Sequence, residues 1–170
     1  MTKWLSPFVL CAVVLFAGCS KQKTPQTVKS FSLNSLDGVI MKSGVLLDSG
    51  VSADGGGSLK IETSDPITVP IFEIADLNIE NARILYQAKV KVENVIGQVY
   101  LEMLCHFPDG GEYFSRGQAT LLSGTTDWTS QETPFLLQQG QKPDIIKLNL
   151  VFNGHGTVWI DDMKLMKVPL

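Results

Sequence analysis

Short segments in which apolar and polar residues alternate recur along most of the chain, and many are rich in β-branched residues. A period of two places alternate side chains on opposite faces of a strand. Turn signals rich in Gly and Asp separate many of these segments, and only residues 72–81 could hold a helical turn. The pattern predicts an all-β, antiparallel sandwich or barrel of about ten short strands. The predicted strands are residues 31–36, 44–47, 58–62, 67–71, 84–92, 99–107, 112–121, 133–137, 145–152 and 157–166.

The N-terminus has a different pattern. Lys3 precedes an apolar run at residues 4–16, which is too short to span a bilayer and is typical of a signal peptide. The run ends in Leu-Phe-Ala-Gly-Cys at residues 15–19, which resembles the lipobox of bacterial lipoproteins, with Phe16 as a mild departure. The resemblance implies cleavage after residue 18 and lipidation of Cys19, for example with palmitate. The alternative is a secreted protein that is cut nearby and keeps Cys19 as a free thiol.

These features predict three regions. Residues 1–18 form the lipoprotein signal peptide, residues 19–30 a polar tether that contains Pro25, and residues 31–170 a single β-sandwich domain. Two or three acyl chains would hold the protein on a membrane in the bacterial cell envelope. Ser20 after the lipidated cysteine favours the outer membrane, by analogy with sorting in enteric bacteria.

Charge and cysteine content exclude several classes of protein. The net charge is −3, and Arg83 and Arg116 are far apart in sequence, so no basic cluster for nucleic acid is expected. With Cys11 removed in the leader and Cys19 lipidated, Cys105 would have no disulfide partner. Cys105 alternates with apolar residues on its strand, which predicts a core position rather than a catalytic one.

Four segments together resemble the galactose-binding-like jelly roll of carbohydrate-binding modules. They are Gly-Gly-Ser-Leu-Lys-Ile at 56–61, Tyr-Gln-Ala-Lys-Val-Lys-Val at 86–92, Asp-Trp-Thr at 127–129 and Gly-Thr-Val-Trp-Ile-Asp-Asp-Met-Lys-Leu at 156–165. The resemblance covers residues 31–167. It implies two packed antiparallel sheets, often a structural calcium ion, and sugar binding without catalysis. The same fold also serves contacts between proteins, so the fold alone does not decide the function.

A polar face is predicted around the hairpin near residue 110. A three-residue loop at residues 109–111 would place His106 opposite Phe114, Leu104 opposite Arg116 and Glu102 opposite Gln118. A two-residue loop would turn Arg116 into the core, at a high desolvation cost. The candidate ligand-binding residues are Tyr100, Glu102, His106, Phe114, Arg116, Gln118 and Asn149. Their amides, charges and rings suit a glycan, although an ordinary solvated face with a Glu102–Arg116 ion pair explains the same pattern.

Asp161 alternates with Trp159 and Met163 and is therefore predicted to point inward, where an unpaired carboxylate is costly. The resemblance implies a structural Ca²⁺ at this position, with Asp37 and Asp54 as further candidate ligands. The alternative is that Asp161 or Asp162 caps a turn or faces water.

No enzyme is expected. The two histidines, His106 and His155, lack zinc spacing, and neither a phosphate loop nor a nucleophile elbow is present. Glu102 and Glu112 could serve a glycosidase only if their carboxyl groups lay about 5 to 9.5 Å apart. Two hypotheses remain: a membrane-anchored, non-catalytic carbohydrate-binding module, or an envelope lipoprotein that contacts another protein and has no glycan ligand. The second predicts an exposed apolar patch.

Overall fold

The structure, a computed structural model, describes residues 24–170. The predicted signal peptide, Cys19 and the first part of the predicted tether lie outside the described residues. The described chain forms eight strands: β1 (Gln26–Phe31), β2 (Val45–Asp48), β3 (Ser58–Thr63), β4 (Ile67–Ala75), β5 (Ala82–Phe107), β6 (Gly111–Arg116), β7 (Leu122–Leu137) and β8 (Ile145–Pro169). All pairings are antiparallel. The predicted all-β sandwich is confirmed.

Two long strands, β5 and β8, pair along their length and form the centre of the fold. The second half of β5 and the first half of β8 lie with β4 and β6. The other halves lie with β1, β3 and β7, and β2 extends the sheet beyond β3. The end of β5 lies close in space to the start of the same strand. The ring of Phe107, at the end of β5, is 6.3 Å from the ring of Phe135, and Phe135 pairs with Ile84 near the start of β5. Each long strand therefore bends from one layer of the sandwich into the other.

The bend is a corner built from glycines. At this corner Gly97 pairs with Gly154, and Ile96 pairs with His155. A Cβ atom on Gly154 would overlap the Ile96 carbonyl oxygen, so only glycine allows the two backbones to approach this closely. The prediction of a turn at residues 153–156 that separates two strands was wrong, since β8 continues through it. The predicted strands 84–92 and 99–107 are likewise the two halves of β5.

Apolar side chains from both layers fill one core. Leu101, Met103 and Cys105 on the second half of β5 are buried, as are Ile84 and Tyr86 on the first half. These are the faces that the alternation predicted, and Cys105 is a core residue. Burial raises the pKa of its thiol to about 12, so the reactive thiolate is scarce near neutral pH.

Several predicted boundaries differ from the structure, among them that of β7, which begins at Leu122 rather than residue 133. β1 begins at Gln26, inside the segment predicted as a tether, and the predicted strand at residues 31–36 is absent apart from Phe31. β1 has exposed polar residues because only its β8 side is paired, so alternation gave no signal. β4 continues to Ala75, where a helical turn was considered, and β6 ends at Arg116 rather than residue 121. No helix within residues 24–170 is long and apolar enough to cross a membrane.

Candidate ligand-binding site

The candidate site depends on the register of the β5–β6 hairpin. Glu102 pairs with Arg116, Leu104 with Phe114 and His106 with Glu112. The predicted register was therefore wrong by two residues, because the loop contains residues 108–110 rather than 109–111. The Gly110 N–H donates to the Phe107 carbonyl at 3.1 Å, and Gly111 follows with a positive φ of 83°. A shift of two preserves the face of every side chain, so the predicted polar face still forms.

Glu102 is the centre of that face. Its side chain accepts a hydrogen bond from Arg116 Nε at 2.7 Å and another from Asn149 Nδ2 at 3.2 Å. Glu102 is only 6% exposed, and these two donors compensate for the burial of its charge. The hydrogen bond to Glu102 raises the pKa of Arg116 above its ordinary value. A charged and oriented pair is therefore fixed on the sheet.

A groove lies directly over this pair. It has a volume of about 320 Å³ and combines the Glu102–Arg116 pair with the ring of Tyr100. Its lining residues are Pro66, Ile67, Thr68, Tyr100, Glu102, Arg116, Val151, Phe152 and Asn153. The groove thus offers donors, acceptors and an aromatic ring within one concavity.

Asn149 lies beside the groove and has an unusual hydrogen-bonding state. Its side chain is buried and its Nδ2 donates to Glu102, but its buried Oδ1 has no partner among the described residues. Buried amide oxygens in proteins are rarely left unpaired. Asn149 therefore holds a buried acceptor beside Glu102 that has no partner among the described residues.

The remaining predicted residues are not all at the groove. The exposed Phe114 ring lies beside it, with the Arg116 guanidinium carbon 4.2 Å from the ring centre. His106 lies four residues beyond Glu102 on β5, about 13 Å along the strand, and its Nδ1 is 2.7 Å from Asp144 Oδ1. That contact lowers the pKa of Asp144.

Gln118 was predicted to lie opposite Glu102, but it is exposed in a 3₁₀ turn, Gln118–Thr120, after β6 has ended.

Sequence reasoning missed part of the lining. Thr68 reaches the groove because β4 pairs with β8, where Thr68 lies opposite Val151. Asn153 was expected to point outward but was not assigned to the site. No local signal pairs β4 with β8, because more than 75 residues separate Thr68 from Val151. Only the outward position of Asn153 was visible in the pattern.

The predicted metal ligands have other partners. Asp161 is 1% exposed, and its Oδ2 accepts hydrogen bonds from Ser52 Oγ at 3.0 Å, Ala53 N at 2.7 Å and Asp54 N at 3.3 Å. Its Oδ1 accepts from Asp162 N at 2.7 Å. Ser52 Oγ is also 3.0 Å from Asp54 Oδ1, so its single proton is shared between the two carboxylates; Asp54 accepts from Gly56 N, and Asp37 from Ser35 within its own turn. Across residues 24–170, no three or more His, Cys, Asp or Glu side chains are grouped to hold a metal ion.

Calcium was expected here from the family resemblance, but the hydrogen bonds to Asp161 explain the burial of its carboxylate without an ion. We expect the melting temperature to be the same in millimolar calcium and in a chelator, because N–H and O–H groups already satisfy the Asp161 carboxylate. A bound ion would instead add about 2.7 kcal/mol of stability at 100 times its dissociation constant, which calorimetry resolves easily. A melting temperature that rises with calcium concentration would restore the predicted site at Asp161, Asp54 and Asp37.

The two carboxylates considered for glycosidase chemistry are apart and separately paired. Glu112 lies opposite His106, which is four residues along β5 from Glu102, and its carboxylate accepts a hydrogen bond from Lys147 Nζ at 2.7 Å. Their backbone positions are about 13 Å apart along the strands, and each carboxylate is bound by its own cation, Arg116 for Glu102 and Lys147 for Glu112.

Structural comparison places this geometry among known folds. The CBM22-1 xylan-binding domain of Xyn10C from Paenibacillus barcinonensis is similar, with a TM-score of 0.64 and 13% identity over 87% of this chain and 98% of that domain. The chain has the β-sandwich fold of carbohydrate-binding modules. A family 16 carbohydrate-binding module has a TM-score of 0.51 and 13% identity, with 72% of this chain and 84% of that one covered.

A third similar structure contains a glycan. The CBM22-1-GH10 modules of Clostridium thermocellum endo-1,4-beta-D-xylanase 10B, complexed with xylohexaose, have a TM-score of 0.62 and 10% identity over 84% of this chain. The match covers 28% of that protein. No protein-family model matches the sequence, and no curated protein sequence matches it. At these identities the comparisons show the fold alone.

Proposed function

We propose that this protein is a lipid-anchored, non-catalytic glycan-binding protein of the bacterial cell envelope, and that the groove over Glu102 and Arg116 binds the glycan. The observation that carries the proposal is the buried Glu102 carboxylate held by Arg116 and Asn149 beneath an open groove. An ion pair between a buried carboxylate and an exposed arginine adds little to stability by itself. Its position under a groove is better explained by ligand recognition.

The groove has the chemistry that a sugar requires. Each hydroxyl group both donates and accepts hydrogen bonds, so a pyranose can bond to the Arg116 guanidinium and to amides such as that of Asn153. Tyr100 supplies an aromatic surface at the groove, and the exposed Phe114 supplies a second ring beside Arg116. Because one similar domain is described as xylan-binding and another was solved with xylohexaose, xylo-oligosaccharides are the first ligands to test.

The second part of the proposal is a lipid anchor on Cys19. A lipid on Cys19 would confine the domain to the surface of a membrane, and Ser20 favours the outer membrane. A tethered binding module holds a polysaccharide close to the cell without chemical conversion, so its partners are a glycan and the bilayer.

We expect Arg116→Ala and Glu102→Gln to weaken binding of xylohexaose by about 10- to 100-fold each, since each removes a charge-assisted hydrogen bond at the groove. Isothermal titration calorimetry on the full protein in a zwitterionic detergent measures this effect, because a glycoside detergent would compete with the ligand. Lys91→Ala is the matched control. Lys91 also forms an ion pair, with Asp127 at 3.1 Å, but it lies on the first half of β5, in the other layer of the sandwich.

A glycan array extends the test to other sugars. Binding that survives both groove substitutions in a folded protein would contradict the proposed site. If no glycan binds at millimolar concentration, the glycan function is wrong, and crosslinking at the membrane should then capture a protein of the envelope.

A further inference from the structure

The two ends of the sandwich differ. One end, here called the terminal end, contains the start of β5 and the ends of β5, β7 and β8, since Ala82 pairs with both Leu137 and Pro169, and Phe107 packs against Phe135. The opposite end, the corner end, contains the glycine corner at residues 93–98 and 153–156. The groove lies toward the corner end, because Tyr100 and Asn153 are close to that corner in sequence.

Apolar side chains are exposed at the terminal end. Tyr113 is 55% exposed and Leu136 is 54% exposed. Two concavities of about 630 and 410 Å³ meet at Leu136. The first is lined by the rings of Phe107, Tyr113 and Phe135, and the second by Pro134, Val168 and Pro169. Contiguous exposed apolar surface of this kind marks a site of interaction.

Polar groups at the same end suit an interface between water and lipid. Arg83 lines the second concavity beside Leu136, whereas Lys142, in the first concavity with Asp109, is already paired with Glu80 at 3.0 Å. The Tyr113 ring is amphipathic, and aromatic residues of this type are enriched where apolar and aqueous surroundings meet. Long cationic side chains can reach phosphate groups while their methylene stems cover apolar surface.

The position of the tether decides what covers this end. β1 begins at the terminal end. Its first residue, Gln26, pairs with Lys167, which lies only two residues before Pro169, and Pro169 pairs with Ala82. From Cys19 to Gln26 the chain spans at most about 25 Å even when fully extended. A lipid on Cys19 therefore keeps the terminal end within a short distance of the bilayer, and the groove is about 20 Å further along the strands.

We propose that the terminal end docks on the phospholipid surface, with Tyr113 and Leu136 against the headgroup and acyl boundary and with Arg83 near lipid phosphates. The inference rests on the lipid anchor of the proposed function and extends it. The lipid then acts as a tether, while the apolar end sets the orientation of the domain. In that orientation the groove is held about 20 Å from the docked end, where soluble or cell-wall glycans can reach it.

A fluorescent label at each end of the full-length, lipidated protein tests this orientation. Leu136→Cys and, as the matched control, the 66% exposed Ile96→Cys at the corner end are labelled with the same thiol-reactive dye, since Cys105 is buried. Each protein is reconstituted into vesicles of phosphatidylethanolamine and phosphatidylglycerol with brominated acyl chains, which quench only dyes in contact with lipid. We expect loss of fluorescence at position 136, none at position 96, and recovery at position 136 when Tyr113→Glu is added.

Flotation of the vesicles distinguishes a failure of the docking proposal from a failure of the lipid anchor. If the protein floats with the vesicles but the label at position 136 stays unquenched, docking is wrong and the anchor stands. If the protein does not float, the anchor fails and the docking proposal fails with it. If the dye at position 136 is inaccessible to solvent in detergent micelles without vesicles and becomes accessible on dilution, a second copy of the chain covers this end and lipid docking is wrong.

Discussion

Gly154→Ala is expected to lower the stability of the protein by about 3 kcal/mol or more, which corresponds to a fall of roughly 6 to 12 °C in melting temperature for a domain of this size. An added Cβ would overlap the carbonyl oxygen of Ile96 and lie 2.9 Å from the Cα of Gly97. Both obstacles are backbone atoms, so no side chain can rotate to make room. The corner would have to open, and the pairing of β5 with β8 on both sides of it would be strained.

Gly110→Ala is the matched control, since its added Cβ would meet only ordinary contacts, 3.7 Å from Phe107 Cβ and 3.9 Å from the Tyr113 ring. We expect its stability to stay within about 0.5 kcal/mol of the parent protein. Urea unfolding measured by circular dichroism compares the two variants. Equal midpoints would mean that the corner adapts to a side chain, and the close approach of β5 and β8 would then not be a constraint on the fold.

The corner also explains where sequence reasoning failed. Residues 153–156 contain two glycines, and such a cluster normally indicates a turn that reverses the chain. Here the glycines allow two paired strands to bend together, so hydrogen bonding continues through the segment. The alternation of apolar and polar residues on either side of the corner was interpreted correctly, because it depends only on which face of the strand is buried. The connection between the halves depends on contacts between distant segments, which no local pattern contains.

The candidate site was predictable to the extent that it depends on alternation. Glu102 and Arg116 were placed on one face because the desolvation cost of a buried arginine excludes the other register, and the structure brings them to 2.7 Å. Their pairing partners could not be predicted, since a loop one residue earlier moves every pair by two positions. Gln118 was lost because β6 ends at Arg116 and the chain then enters a 3₁₀ turn. The contribution of β4 requires the order of strands in the sheet, which follows from the packing of the whole domain.

Asp161→Asn is expected to cost about 2 to 4 kcal/mol, because it replaces an acceptor by a donor among groups that all donate. The Ser52 hydroxyl and the N–H groups of Ala53 and Asp54 converge on one oxygen of Asp161, and Asp162 N–H approaches the other. An amide has one acceptor oxygen, so its NH₂ group must face either the three donors on Oδ2 or the Asp162 N–H, and the donors that it faces lose their partner. The loop at residues 52–54 should detach from β8, with faster amide hydrogen exchange at Ala53 and Asp54 as the local signature.

Asp162→Asn distinguishes this mechanism from a general effect of charge, since it removes the same charge from the neighbouring residue. Asp162 is half-buried and pairs with Lys164 at 2.9 Å, a contact near the surface for which we expect about 0 to 1 kcal/mol. Asn also tolerates the positive φ of 48° at this position. Similar losses in both variants would mean that net charge, and not the convergence of donors on Asp161, determines the stability of this end of β8. A large loss confined to Asp161→Asn, unchanged by calcium or a chelator, would identify a carboxylate that anchors a loop through hydrogen bonds alone.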